Sequence, residues 1–258
     1  MISHHILIRS WSAALALSLA IIGIPTQLWA GPITGTLPTL SVTIEGSPNS
    51  TWTYSPTKEA FSAPDSTGAY DYTGEVDKAI LQGRAHIKIE DLDFNPDPFV
   101  LNNFLVTNTL GVPQVFSVFV GLPTALAAPN IISGNVRTSV IDGGFDGATI
   151  STVVGQPLYQ AQIDFGTVAT LQNDPFSVVA PSGGSNTLSA TFGPSVSGVP
   201  VVTNIGVQLR FMLSPGDTAS ILSRFDVVPV PEPSTIALTS LLAAAVFGIR
   251  GRRVRSHR

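Results

Sequence analysis

From Gly31 to Val227 the apolar residues alternate with polar ones or gather in short runs, and Gly, Pro, Asn and Ser separate those runs. That pattern has a period of two, so it constrains the chain to half-buried strands; no stretch shows the 3.6-residue stripe of an amphipathic helix. "RAHIKIED" (Arg84 to Asp91) puts Ala85, Ile87 and Ile89 on one face and His86, Lys88 and Glu90 on the other. "FVLNNFLVTN" (Phe99 to Asn108) and "PQVFSVFV" (Pro113 to Val120), joined by "TLGV", are expected to pair as a hairpin. Further strands are predicted at Leu40 to Glu45, Thr51 to Tyr54, Val136 to Ile141, Leu158 to Phe165, Thr187 to Phe192, Val201 to Leu213 and Ala219 to Val228. Turn signals fall at "DGGFDG" (Asp142 to Gly147), "PSGGSN" (Pro181 to Asn186) and "SPGD" (Ser214 to Asp217). About ten strands with short turns predict an all-β fold, a single antiparallel β-sandwich of jelly-roll type.

The two ends follow other rules. Arg9, with His4 and His5, precedes the apolar run "SAALALSLAIIGI" (Ser12 to Ile24), Pro25 and "TQLWA". This is the three-part layout of a secretory signal peptide over residues 1–30, with cleavage expected after Ala30; an uncleaved N-terminal anchor is the alternative. At the other end, residues 228–258, Ile236 to Ile249 is an uncharged run of fourteen residues, followed by Arg250, Arg252, Arg253, Arg255 and Arg258. A helix of that length spans about 21 Å against a hydrocarbon core of about 30 Å, so it reads as a short stop-transfer segment with its arginines cytoplasmic. Pro231 and Pro233 cannot sit inside that helix and hold an extended stretch before it.

The order Pro231-Glu232-Pro233, short apolar helix, basic end resembles the PEP-CTERM sorting signal of Gram-negative and related bacteria. The resemblance covers about the last thirty residues and none of the body. It implies recognition of Pro231, Glu232 and Pro233 by an exosortase, a membrane processing enzyme that cuts near the motif. It also implies export through the inner membrane, transient anchoring, and a place at the cell surface or in exopolysaccharide and biofilm. An ordinary single-span anchor behind a proline linker is the plainer reading of the same residues.

Between those ends, residues 31–227 make one domain with enough chain to bury a core. They carry seven basic and sixteen acidic residues, whereas the whole chain has a net charge of −4 because the two ends hold six arginines and one acidic residue. An acidic body repels nucleic acid and anionic lipid and is compatible with divalent cations. There is no cysteine, which removes disulfides, thiolate metal sites and cysteine nucleophiles. His86 is the body's one histidine, which argues against zinc.

Candidate sites are few. In "EDLDFNPDPF" (Glu90 to Phe99), Asp91, Asp93, Asn95 and Asp97 alternate like the start of a calcium loop. Pro96 stands where such a loop needs glycine, and no glutamate follows at the twelfth place, so a polar strand end with a proline turn is the competing reading. "DGGFDG" carries the same two readings, with ordinary Asp-Gly turn chemistry the simpler one. Calcium is the one cofactor the pattern admits. Trp52 and Tyr54 share a strand face, as do Tyr70 and Tyr72; exposed, they suit stacking on sugar rings, and buried they are core. His86 in an alternating strand does not make a Ser-His-Asp set, and "PSGGSN" lacks the lysine and helix of a phosphate loop. The sequence therefore points to an exported, non-enzymatic structural protein of the cell surface or biofilm matrix. The alternative is a carbohydrate-binding module, calcium-assisted, with extracellular polysaccharide as partner.

Overall fold

A computed structural model describes residues 37–47, 50–95 and 98–230. The signal-like segment, the Pro231-Glu232-Pro233 motif and the run 236–249 lie outside the described residues, as does Asp97. The described residues form two antiparallel sheets packed as a β-sandwich.

The strands are β1 (Thr39–Ile44), β2 (Thr51–Tyr54), β3 (Val76–Ile80), β4 (Ala85–Asp91), β5 (Phe94–Asn95), β6 (Phe99–Asn108), β7 (Gln114–Pro123), β8 (Asn130–Ile141), β9 (Ala148–Ser151), β10 (Tyr159–Ile163), β11 (Gly166–Leu171), β12 (Ser177–Ala180), β13 (Ser185–Ser197), β14 (Asn204–Leu213) and β15 (Thr218–Pro229). One sheet runs β11-β10-β14-β7-β1-β2, with β9 joining β14 to β12. The other runs β13-β8-β15-β6-β4-β3, with the short β5 on β6.

The alternation read from the sequence is the packing of the two sheets. In β6, every second side chain from Val100 to Asn108 is buried, and β4 buries Ala85, Ile87 and Ile89. Phe104, Phe116, Phe211 and Phe225 meet between the sheets with no exposed surface. Each fully buried side chain of that size contributes about 1.5–3 kcal/mol of transfer free energy. Gly134 on β8 leaves room for Tyr159 to cross the core and donate its hydroxyl to the Arg224 carbonyl at 3.0 Å.

The expected hairpin of Phe99–Asn108 with Pro113–Val120 does not form. β6 pairs with β15 and β4, and β7 pairs with β1 and β14, in opposite sheets. Both strands bury one face, so pairing them side by side was one solution and facing them across the core was the other. Residues 109–113 reach up to about 17 Å, more than the roughly 10 Å between packed sheets. Asn108 fixes the crossing. Its buried amide donates to the carbonyls of Val112, Leu213 and Ser214 at 2.9, 3.2 and 3.1 Å, and its Oδ1 accepts from Leu110 N at 3.0 Å.

Other boundaries moved for identifiable reasons. β8 begins at Asn130, six residues before the expected start, because Asn130, Ser133 and Asn135 pair in the ladder despite their turn-like character. β13 continues past Phe192 through an irregularity at Gly193 and Pro194. β14 begins at Asn204 because the preceding loop is tied to Asp164.

Candidate functional site

The aromatic residues read from the sequence gather at one lateral edge of the sandwich. Trp52 and Tyr54 project from the edge strand β2 on the same side as Leu40 and Val42 of β1, and pack against the core. Their rings are parallel within 6° with centroids 5.9 Å apart. Lys78 of β3, the edge of the opposite sheet, sets its ammonium 5.2 Å over Trp52. Tyr54 and Tyr72 share a hydrogen bond of 2.9 Å between their hydroxyls, and burial, then that bond, raises the Tyr72 phenol. Tyr70 is buried and stacked on Phe94 at 5.0 Å. One face of Trp52 thus lies toward Lys78, and Tyr70 and Tyr72 belong to the interior.

The acidic run Asp91 to Asn95 turns toward the protein. Burial, then a hydrogen bond and charge shared with Asp93, push the Asp91 carboxyl up to about 7. Asp93 Oδ1 accepts from Tyr72 N at 2.8 Å, and the Asn95 amide donates to the Thr67 carbonyl at 3.0 Å. These groups tie the loop 67–72 to the end of β4.

Among the described residues, the carboxylates of Asp142, Asp146 and Asp217 come within 4.8 Å of one another, in an arrangement able to face one cation. Asp142 and Asp146 come from "DGGFDG"; Asp217 comes from "SPGD", which the fold brings alongside. Asp142 accepts from Gly183 N at 2.6 Å, from Gly144 N at 2.9 Å and from Gly147 N at 3.2 Å, and the Gly183 bond leads in holding its carboxyl below the ordinary range. Asp217 accepts from Gly143 N at 3.2 Å and from the Ser214 hydroxyl. A hard cation takes six to eight oxygens, of which these carboxylates supply a part.

The outer face of the eight-stranded sheet carries a site that the sequence reading missed. Phe119 points outward from β7, and its ring lies down on the sheet. A Cβ added at Gly121 would sit 2.6 Å from that ring, and one at Gly206, on the neighbouring β14, 2.8 Å from it. Glycine at both positions is what lets the ring rest on backbone. An isolated glycine inside a strand signals such a close approach, and this was the one mark legible in the sequence.

Beside it stands Phe165, 68% exposed, with its ring centroid 5.8 Å from that of Phe119. Phe165 occupies the two-residue turn between β10 and β11, where Asp164 has φ 49° and Phe165 φ 64°. Left-handed backbone is costly for a bulky side chain. Asp164 holds it there: its carboxylate accepts from Val202 N at 2.8 Å, Thr203 N at 2.7 Å, the Thr203 hydroxyl at 2.7 Å and Asn204 N at 3.0 Å. Burial works to raise this carboxyl, and the hydrogen bonds outweigh it and hold it down to about 2.

The register extends the site across the sheet. Thr53, Ser41, Phe119, Gln208, Gln160 and Thr170 lie in one row over six strands. At about 4.8 Å per strand the row is about 24 Å wide. It presents hydroxyls and amides around a single ring, and no charge. Gln208 donates to Ser117 Oγ at 2.7 Å, and Gln160 accepts from the Thr167 hydroxyl at 2.8 Å. The cation next to the row, Arg210, is engaged by both carboxylate oxygens of Glu45.

No protein-family model matches the chain, and no curated protein matches it in sequence. Among solved structures it is similar to TmCBM61 in complex with beta-1,4-galactotriose, at 10% identity and TM-score 0.24, over 57% of this chain and 88% of that one. It is also similar to the isomalto-dextranase of Arthrobacter globiformis T6 complexed with panose, at 14% identity and TM-score 0.26, over 76% of this chain and 30% of that one. Both likenesses are distant, and neither assigns a ligand to this chain.

Proposed function

We propose that this chain is an exported, non-catalytic module that holds an uncharged polysaccharide on the outer face of its eight-stranded sheet. Export and surface delivery rest on the signal-like N-terminus and on Pro231, Glu232 and Pro233 ahead of the apolar tail. The observation that carries the binding reading is Phe119, whose ring tip is seated against Gly121 and Gly206 with the exposed Phe165 beside it. A flat ring offers its face to the C–H face of a sugar, and the flanking hydroxyls and amides match sugar hydroxyls. The row has no free cation to neutralise uronate or sulfate, so neutral sugars fit it and acidic ones do not.

Affinity electrophoresis tests this directly. Migration through gels containing neutral polysaccharides should slow for at least one of them, and gels containing polyuronates should leave it unchanged. Phe119→Ala should weaken the retardation by about tenfold or more, a loss of about 1.4 kcal/mol. A chelator should have no effect, because the row contains no carboxylate. Retardation by acidic polymers alone, or full retardation of Phe119→Ala, would sink the reading.

A further inference from the structure

The chain leaves the sandwich at one pole, where exposed valines surround the exit and the carboxylates beside it are engaged, Asp164 by the N–H groups of residues 202–204 and Asp226 by Arg224. β15 ends at Pro229 paired with Asn130, and Val230 N bonds the Pro129 carbonyl. Around this exit lie the loop 124–129, the end of β13 and the loop 198–203, joined by the Leu126–Val201 bridge and by Asn130 Nδ2 on the Val199 carbonyl. Val196, Val199, Val202 and Val228 are exposed there by 72%, 46%, 66% and 51%. Residues 98–136 and 175–209 contain no Asp, Glu, Lys or Arg. The opposite pole also exposes apolar side chains, Phe145 and Val112, but sets Asp142, Asp146 and Asp217 at the same end. At the exit pole, Asp91 and Asp93 are on the β4 side, two strands beyond β15.

We infer that this pole rests on the surface of a lipid bilayer while the tail is in place, with Val196, Val199, Val202 and Val228 at the headgroup boundary. The inference rests on the reading of 236–249 as a membrane anchor. Five residues separate Val230 from Ile236, and the extended chain between them reaches at most about 20 Å. So short a tether keeps the pole at the bilayer at high effective concentration, and a weak apolar contact suffices. The acidic body disfavours an anionic surface, so the contact is made by apolar side chains on a zwitterionic one. The row faces sideways from this pole, and Phe165, in the turn tied to residues 202–204, borders it.

The absence of cysteine makes the test clean, since each variant then holds one thiol. The full-length chain is placed in phosphatidylcholine vesicles containing a lipid spin-labelled near its headgroup. An environment-sensitive fluorophore is attached to Val202→Cys, Val196→Cys, Val112→Cys or Ala244→Cys. Quenching should be strong at 244, about twofold or more at 202 and 196, and absent at 112. A carboxylate introduced by Val199→Asp should abolish it at 202 and leave it at 244. Quenching at 244 without quenching at 202 and 196 overturns the inference and leaves the anchor reading standing. No quenching at 244 removes the anchor and the inference with it. Cross-linking of Val202→Cys to a second copy in place of quenching also overturns it.

Discussion

Asp164 accepts four hydrogen bonds from residues 202–204 and keeps Phe165 in a left-handed turn. Asp164→Ala should lower stability by about 1–2 kcal/mol in urea denaturation, a modest loss for charged hydrogen bonds because the carboxylate is partly solvated. Its carboxyl is depressed to about 2, so its contribution is complete above the unfolded value near 4 and fades as pH falls through 2. Asp91 has the opposite sign. Raised to about 7, it binds a proton that the unfolded chain has released, so its contribution is full below pH about 4 and is lost as pH rises through 7. Urea midpoints of the wild type should therefore fall across that window, and Asp91→Asn should flatten the fall. At the candidate site, Gly121→Ala would put a Cβ 2.6 Å from the end of the Phe119 ring. The ring can lift, so stability should change by less than about 1 kcal/mol while sugar retardation drops. An equal loss of fold and binding would instead mark Phe119 as a ring that serves only to cover two glycines.

At the scale of elements, Asn108 is the corner between the sheets. Asn108→Ala strands three carbonyls and should cost about 2–4 kcal/mol, read from the shift of the urea midpoint. β6 alternates over its whole length and was read to its exact ends, whereas β8 and β13 were read only in part, β13 because its exposed face breaks the alternation. Their pairing was not legible, since alternation says which face is buried and nothing about which strand lies alongside. β3, β5, β9, β11 and β12 were missed. β11 is short, lies at an edge and buries only Leu171, and so shows no period. Sites suffered more than strands. Phe119 and Gly206, or Asp142 and Asp217, are far apart in sequence and meet only through sheet order. Trp52 and Tyr54 were found by spacing within one strand, which cannot say that Lys78 from the opposite edge sits over the indole.

The whole molecule is divided by charge. Most ionisable groups of the body lie between Glu45 and Asp97, toward the β2 and β3 edges, while the uncharged stretches 98–136 and 175–209 form β6, β7, β12, β13 and the first parts of β8 and β14. The row proposed to bind sugar crosses the eight-stranded sheet into this uncharged part. A surface of hydroxyls, amides and a flat ring recognises by shape and hydrogen bonds rather than by charge, so binding should barely change between low and high salt. The most direct measurement is a heteronuclear NMR titration with an oligosaccharide of the neutral polymer that retards the protein. Binding on the row moves the ring signals of Phe119 and Phe165 and the amides of Gln160 and Gln208, and leaves Trp52 and Tyr54 in place. Shifts confined to Trp52 and Tyr54, or no saturable shifts with any neutral oligosaccharide, would contradict it.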